Sequence, residues 1–169
     1  MLIVAKSLEE LNFPELMKIY VEGNREHGEE MWPEKAENEQ LSLAEQDFLS
    51  FLRDRFFSRP EAMYMILEAE GRYVSALRLE PNRDGLLLEA LETLPEERRR
   101  GYAVSLISSV QRWLKACGEV TLYSHVSKRN EASLRTHRRC GFEIYLDHTV
   151  YQDGSRNDNA YTLRCVVGK

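Results

Sequence analysis

The sequence has few cysteines, and they are spaced too far apart to form a recognisable motif. Its 169 residues contain three, Cys117, Cys140 and Cys165, and no two of them form a Cys-x-x-Cys pair. This spacing argues against a disulfide framework or a zinc site, and it is typical of a reducing cytoplasm. No surrounding motif sets up any of the three thiols as a nucleophile.

Long apolar runs and a basic surplus are also lacking. No stretch approaches the roughly 18 apolar residues of a membrane-spanning helix, and the opening MLIVAKSLEE lacks the basic start of a secretory signal. We therefore expect a cytoplasmic protein without a membrane partner. The formal net charge of -5 argues against a nucleic-acid partner. His27 stands beside Glu29 and Glu30 without a second histidine at ligand spacing, so we predict no metal.

The composition that remains is that of a folded globular protein, with 43% hydrophobic and 30% charged residues. Its length suits a single domain over residues 1–169. Apolar periodicity predicts helices over the following ranges: 8–24, 42–58, 97–118 and 130–141. Apolar runs between turn signals predict strands over 2–7, in three stretches from 61 to 94, over 119–126, and in a closing pair beyond 142.

These elements predict a mixed α/β (α+β) fold with a mostly antiparallel central sheet of about seven strands and helices on both faces. The strand–helix–strand unit over 86–126 needs a right-handed crossover, which makes its two strands parallel. Residues 25–40, REHGEEMWPEKAENEQ, are polar, acidic and interrupted by Gly28 and Pro33. We expect a loop or lid there.

A run of three arginines, Arg98 to Arg100, precedes Gly101 in the stretch PEERRRGYAVSL. A glycine at the start of a helix leaves backbone N–H groups open to phosphate, and arginine adds bidentate donors. The run therefore fits a polyphosphate site. The alternative is that the arginines pair only with Glu96 and Glu97, and the local pattern does not decide between the two. No Gly-Lys-Ser/Thr follows, which excludes a P-loop.

Two motifs in this part of the chain resemble those of the GNAT acetyltransferases. The first is similar to motif A, whose (Arg/Gln)-x-x-Gly-x-(Gly/Ala) core binds the pyrophosphate of acetyl-CoA, through Pro95, Arg98, Gly101 and Ala103. The second, VSKRNEASLRTHRRCGF (126–142), resembles motif B, Asn-x-x-(Ala/Ser)-x-x-x-Tyr-x-x-x-Gly-Phe, through Asn130, Ser133, Gly141 and Phe142. The motifs occur in the family's order with a strand between them, and the resemblance covers residues 61–167.

The resemblance implies acetyl-CoA as cosubstrate, held where strands 86–94 and 119–126 splay apart. Backbone groups of Leu91 and Thr93 would bond the pantetheine arm, and Asn130 and Ser133 would lie along its thiol end. The pyrophosphate would be held by the motif A segment, which consists of Arg98, Arg99, Arg100, Gly101, Tyr102 and Ala103.

One position departs from the family pattern, because His137 stands where motif B has the tyrosine that is the usual candidate for protonating the departing thiolate. An imidazolium of pKa about 6.5 gives its proton downhill to a thiolate of pKa about 8.5. About a tenth of an unperturbed histidine is protonated near pH 7.5, which leaves the transfer favourable. His137 is therefore the candidate acid. The alternative is that it only packs or bonds the cofactor while water supplies the proton.

A base must also take a proton from the attacking amine. Glu92, between the two residues expected to contact pantetheine, is the first candidate and Glu89 the second. The apolar pattern of Leu88, Leu91 and Thr93 stays on one face of a strand only if the strand contains a bulge. The sequence does not place that bulge, so which glutamate faces the cleft stays open.

The resemblance places the acceptor opposite the cofactor, over the acidic segment 25–40. Glu30 and Trp32 would attract and stack a cationic amine there, and His125 would line the same cleft from the end of its strand. The alternatives are a solvated charged loop and an ordinary half-buried strand histidine.

Together these features predict an N-acetyltransferase that moves an acetyl group from acetyl-CoA to a primary amine of a small molecule or peptide by direct attack. One alternative is a non-catalytic acyl-CoA-binding sensor domain, because the motif B tyrosine is absent. RNA binding through the three arginines is a further alternative. The sequence identifies neither the amine nor the oligomeric state, and it leaves a homodimer open.

Overall fold

A computed structural model describes residues 1–168 of the chain as a mixed α/β fold. The α-helices are α1 (Phe13–Ile19), α2 (Val21–Met31), α3 (Glu37–Phe51), α4 (Tyr102–Cys117) and α5 (Glu131–Arg139). The strands are β1 (Leu2–Ala5), β2 (Met63–Ala69), β3 (Arg72–Asn82), β4 (Gly85–Thr93), β5 (Val120–Ser127), β6 (Glu143–Leu146), β7 (Thr149–Val150), β8 (Arg156–Asn157) and β9 (Ala160–Val167). Short 3₁₀ turns cover Leu8–Glu10 and Pro95–Glu97, and a π-helical turn over Leu52–Phe56 extends α3.

Within residues 1–168, seven strands form one sheet in the order β1-β2-β3-β4-β5-β9-β6, and β7 and β8 form a separate hairpin. Neighbouring strands of the large sheet are antiparallel, except that β4 and β5 run parallel on either side of α4 in the chain. This topology confirms the predicted mixed, mostly antiparallel sheet. No helix in the described part of the chain combines the length and the apolar character needed to cross a membrane.

Two apolar clusters cover the two faces of this sheet. On one face the apolar stripe of α4, which includes Leu106 and Ile107, packs with Leu77 of β3. On the other face Leu16 of α1 packs with Ile66 of β2 and with the residues that follow α3. Helices on both faces were predicted from the apolar spacing, and the structure confirms them.

The prediction of a loop over 25–40 is wrong, because most of this segment is helical. α2 runs through Gly28 to Met31, and α3 begins at Glu37. A Cβ at Gly28 would lie 2.7 Å from the backbone oxygen of Gln40, so this glycine allows α2 and α3 to cross closely. Gln40 Nε2 also donates to the Trp32 carbonyl at 2.9 Å and closes the end of α2. The glycine that resembles a helix breaker in sequence is a helix-packing residue.

β4 contains the bulge that its apolar pattern predicts. Glu89 pairs with Arg78 of β3 and Glu92 pairs with Ala76, so β4 has one residue more than β3 between the two pairs. Ala90 lies in this bulge with a φ of 50°, in the left-handed region. Because residues 76 and 78 share a face of β3, the bulge turns both glutamates to one face of the sheet.

β4 and β5 separate part of the way along their length. Among the described residues, their parallel pairing ends with Leu88 opposite Ser124. Both strands continue past this point, β4 to Thr93 and β5 to Ser127. The predicted splay between 86–94 and 119–126 is therefore present. Among the described residues, it leaves the end of β4 without a paired strand on the side that faces β5.

Candidate active site

Two cavities line the gap between β4 and β5 and share part of their walls. A groove of 570 Å³ leads from Leu91 to the start of α4. A smaller cavity of 180 Å³ lies between the separated strands. Leu91, Asn130 and Ser133 line both of them. The groove and the cavity therefore meet at Asn130 and Ser133, which the resemblance places along the thiol end of the cofactor, and at Leu91, which it places against the pantetheine arm.

The groove ends at the first turn of α4. Gly101 caps this helix with a φ of 83°, and in the described part of the chain no side chain bonds the cap. The helical ladder starts with Ser105 N–H donating to Gly101 O at 2.9 Å, so the N–H groups before Ser105 have no acceptor within the helix. Gly101, Tyr102 and Ala103 line the groove. This end of the groove offers backbone donors to an anion.

The three arginines before α4 have different surroundings. Arg98 donates to Glu22 of α2 at 2.6 Å. Arg100 donates to the buried carboxylate of Glu97 at 2.8 Å, which is one of the pairings that the sequence left open. Arg98 and Arg99 both line the groove, but within residues 1–168 the ion pairs of this run involve Arg98 and Arg100 and not Arg99. Of the three, Arg99 is best placed to contact an anion there.

Glu89 and Glu92 reach the gap from the face that carries α1–α3. Glu89 lines the small cavity and lies 3.8 Å from Arg78, and burial raises its pKa above the ordinary carboxyl value. Glu92 lines the groove, and burial raises its pKa too, against the opposing effect of Arg98 at 3.7 Å. A carboxylate whose pKa is shifted toward neutrality is suited to act as a general base.

His137 lines the small cavity from α5 and is almost fully buried, with 1% of its surface exposed. Its Nδ1 lies 2.8 Å from the Ser133 carbonyl, which can only accept, so Nδ1 carries the proton of the neutral ring. Nε2 is buried without a hydrogen-bond partner among residues 1–168. Burial lowers the His137 pKa, although the bond to Ser133 opposes the shift. The protonated fraction at neutral pH is therefore smaller than for an unperturbed histidine.

The structure does not bring the three predicted acceptor residues together. His125 lines the small cavity, where its ring meets Tyr151 edge to face at 5.6 Å and burial lowers its pKa. Trp32 ends α2 and packs against His27 at 5.9 Å, and Glu30 is exposed on the same helix. Neither Trp32 nor Glu30 lines the cavity between the strands.

Sequence reasoning missed several side chains at this site. Thr136 and Arg139 line the groove beside Ser133, and their spacing of three residues along α5 is a signal that could have found them. Tyr20, between α1 and α2, donates its hydroxyl to the Ala90 carbonyl at 2.7 Å. Its sequence signal is only an apolar position in a helical pattern, which does not indicate where a hydroxyl points.

Comparison with known sequences gives one family and partial relatives. A sequence model of the Acetyltransferase (GNAT) family matches residues 14–142. The aminoglycoside N(6')-acetyltransferase type 1 of Salmonella typhimurium is 42% identical over 60 residues, which are 34% of this chain and 40% of that protein. The similarity to this relative therefore covers less than half of either protein.

Comparison with solved structures finds the same overall architecture. A mutant spermidine N-acetyltransferase from Vibrio cholerae superposes with a TM-score of 0.63 at 17% identity, covering 100% of this chain and 94% of that one. The PaiA N-acetyltransferase from Thermoplasma acidophilum, in complex with coenzyme A, superposes with a TM-score of 0.61 at 14% identity, covering 97% and 98%. At these identities the likeness is one of fold.

Proposed function

Because the chain belongs to the GNAT acetyltransferase family, we propose that it is an N-acetyltransferase that moves an acetyl group from acetyl-CoA to a primary amine. The gap between β4 and β5 carries this proposal. Strand pairing ends at Leu88 and Ser124, and adjoining cavities lead from there to the start of α4. An extended thioester arm fits between separated strands, and a diphosphate fits the open N–H groups of a helix start.

In this proposal the pantetheine arm follows β4 and bonds the backbone of Leu91 and Thr93. Asn130 accepts from Ser133 N–H at 3.0 Å through its side-chain oxygen, which leaves its amide N–H groups for the arm. The diphosphate lies against the backbone of residues 101–103 and the guanidinium of Arg99. Arg98 and Arg100 contribute mainly through their positive charge, since carboxylates already accept from both.

The reaction couples three proton transfers to one direct attack. Glu92, with Glu89 as the second candidate, takes a proton from the ammonium group, and the neutral amine attacks the thioester carbonyl carbon. The C–S bond then breaks, the attacking nitrogen gives its second proton to water, and the thiolate takes a proton from the imidazolium of His137, which has gained that proton from solvent. The buried ring is mostly neutral at rest, but a thiolate forming beside it raises the histidine pKa, because opposite charges stabilise each other.

The acceptor approaches from the face that carries α1–α3 in this proposal. Glu22 and Glu26 of α2 are close enough to Glu92 for their charges to raise its pKa, so this approach is acidic and favours a cationic amine. The names of the Salmonella and Vibrio relatives, which specify aminoglycoside and spermidine, support a small-molecule amine. Trp32 and Glu30, near the end of α2, would contact only an acceptor long enough to reach them.

The test is a screen for thiol release from acetyl-CoA over amino acids, polyamines, aminoglycosides and peptide N-termini. We expect at least one cationic amine to give turnover with a matching acetylated product detected by mass spectrometry. A chain that does not bind acetyl-CoA would contradict the proposal outright.

A second function, an acyl-CoA sensor, is favoured by one observation: the acid position of motif B holds a buried histidine with a lowered pKa. Such a site binds the thioester while supplying little proton transfer. Tight binding of acetyl-CoA with no thiol release across the whole screen would select the sensor over the enzyme.

A further inference from the structure

The bulge of β4 leaves one peptide group without a regular place in the sheet. Ala90 and Leu91 lie between the pairs Glu89–Arg78 and Glu92–Ala76, and neither has a partner of its own in the register with β3. On the other side, pairing with β5 has already ended at Leu88. The ladder register alone therefore does not fix the direction of the peptide that joins Ala90 to Leu91.

Tyr20 supplies that contact from outside the sheet. Its hydroxyl donates to the Ala90 carbonyl at 2.7 Å across 70 residues of sequence. The ring is held between Phe48, at 5.2 Å between ring centroids, and Tyr64, at 6.3 Å. Burial raises the pKa of Tyr20 well above its ordinary value, so the phenol is protonated and remains a donor at neutral pH.

The geometry of the Ala90–Leu91 peptide links the Tyr20 hydrogen bond to the gap between β4 and β5. The Ala90–Leu91 peptide is trans, so its C=O and its N–H point in opposite directions. Tyr20 draws the C=O toward the face that carries α1, which turns the N–H of Leu91 away from that face. A hydrogen bond to the carbonyl also polarises the peptide and makes the N–H a better donor.

The carbonyl of the residue after Leu91 is fixed as well. Ser75 Oγ donates to the Glu92 carbonyl at 2.7 Å and lies 3.1 Å from the Thr93 hydroxyl. The carbonyls of Ala90 and Glu92, the residues before and after Leu91, are thus held by side chains. The Leu91 N–H keeps a defined direction beside the two cavities that this residue lines.

We propose that Tyr20 is a positioning residue of the acetyl-CoA site, whose hydroxyl fixes the Ala90–Leu91 peptide so that the Leu91 N–H meets the cofactor arm. This inference rests on the proposed function, because it concerns how the thioester arm is held. Tyr20 itself touches neither reactant in this proposal. Its hydroxyl bonds Ala90 and no residue of the motif A segment, so it should affect binding of the pantetheine arm and not of the diphosphate.

The experiment compares Tyr20→Phe with Tyr64→Phe by calorimetric titration of acetyl-CoA and of ADP, which carries a diphosphate and no pantetheine arm. Both tyrosines are buried and their rings pack edge to face, but the Tyr64 hydroxyl makes no hydrogen bond to a β4 peptide among residues 1–168 and only lies near the Tyr20 hydroxyl. We expect Tyr20→Phe to weaken acetyl-CoA binding about three- to tenfold, the range of one hydrogen bond, and to leave ADP binding unchanged. Tyr64→Phe should change neither.

Three outcomes overturn the inference. Equal acetyl-CoA affinity in Tyr20→Phe and the unmodified protein would show that the hydroxyl is irrelevant to the arm. Equal losses for acetyl-CoA and ADP would show general damage to the fold. Failure of the unmodified protein to bind acetyl-CoA would contradict the proposed function itself, and with it this inference.

A second measurement needs no variant and covers the case in which Tyr20→Phe does not fold. The amide resonance of Leu91 in the unmodified protein should shift strongly on addition of acetyl-CoA and only slightly on addition of ADP. An unshifted Leu91 resonance in the presence of saturating acetyl-CoA would overturn the inference.

Discussion

The two faces of the sheet bring opposite charges to the gap between β4 and β5. The face covered by α4 and α5 presents the open N–H groups after Gly101 and the side chains of Arg99 and Arg139. The face covered by α1–α3 presents the carboxylates of Glu89 and Glu92. Arg98 is the exception, because it lines the groove but donates a hydrogen bond to Glu22 on the acidic side.

This difference explains how one gap can serve two reactants of opposite charge. A cofactor with phosphate groups is attracted to one face and an ammonium group to the other, so the sheet keeps their binding groups from neutralising each other. The reactants meet only where β4 and β5 have separated. The bulge at Ala90 matters to both sides, since it turns the two glutamates to the acidic face and leaves the Leu91 peptide at the gap.

The largest effect is expected on the acidic face. Glu92→Gln removes the proposed base and should lower kcat/KM for the amine by about 10²–10³-fold, within the range of general base catalysis. Glu89→Gln is the matched control on the same face and should cost less. The measurement is steady-state kinetics with saturating acetyl-CoA. A larger loss in Glu89→Gln would exchange the roles of the two residues.

The pH profile sharpens this assignment. The base acts only when deprotonated, so activity falls as pH drops through its pKa. Burial raises the Glu92 pKa, so this acid limb should lie above the pH expected for an ordinary carboxyl group. In Glu92→Gln the limb should disappear from the log kcat/KM profile. A limb at the same pH in both proteins would assign it to another group.

A smaller effect is expected at His137, on the opposite side of the gap. His137→Phe should lower kcat by about 10²-fold, near the lower limit for a general acid, because burial keeps most of the imidazole neutral. Acetyl-CoA affinity should change little. His137→Tyr restores the family residue and should recover much of the lost kcat. Equal losses in kcat and affinity in His137→Phe would leave it a binding residue.

Local sequence signals sufficed for the strands, and the splay was implied by the family resemblance. Local signals failed where distant residues decide the structure. The alternation of β2–β4, the glycine before α4 and the two motifs are all short-range patterns. In contrast, the continuity of α2 through Gly28 depends on its contact with Gln40 of α3. The apolar periodicity of one segment does not report its contacts with another helix.

The candidate site shows the same limit. The motifs predicted the groove residues, but the partner of Arg98 is Glu22, 76 residues away in sequence. The bulge was expected, yet only the register with β3 places it and shows that both glutamates share a face. The burial that lowers the His137 pKa comes from a packed environment that includes Phe142 at 5.1 Å. In that environment a smaller fraction of His137 is protonated at neutral pH than the ordinary histidine pKa predicts.

A further prediction concerns the backbone of the anion-binding face. Gly101→Ala places a Cβ at a φ of 83° with no atom within 4 Å, so strain alone opposes it. The cost of about 1–2 kcal/mol favours a rotated turn, and acetyl-CoA binding should weaken about five- to thirtyfold. Gly71→Ala, in the β2–β3 turn at a φ of 73°, is the matched control. It should lower the thermal midpoint similarly and leave acetyl-CoA affinity intact, measured by calorimetric titration.

The smallest effect separates two neighbouring arginines. Arg99→Gln removes a cation from the groove and should weaken acetyl-CoA binding about fivefold at low salt, with a smaller difference at high salt because exposed charges are screened. Arg100→Gln should cost less affinity, because Arg100 already donates to Glu97 at 2.8 Å. It should instead lower the thermal midpoint, since Arg72 would then be the remaining cationic partner of buried Glu97 within residues 1–168. The same loss of affinity in both variants would mean that the arginines act through the net charge of the helix start and not through individual contacts.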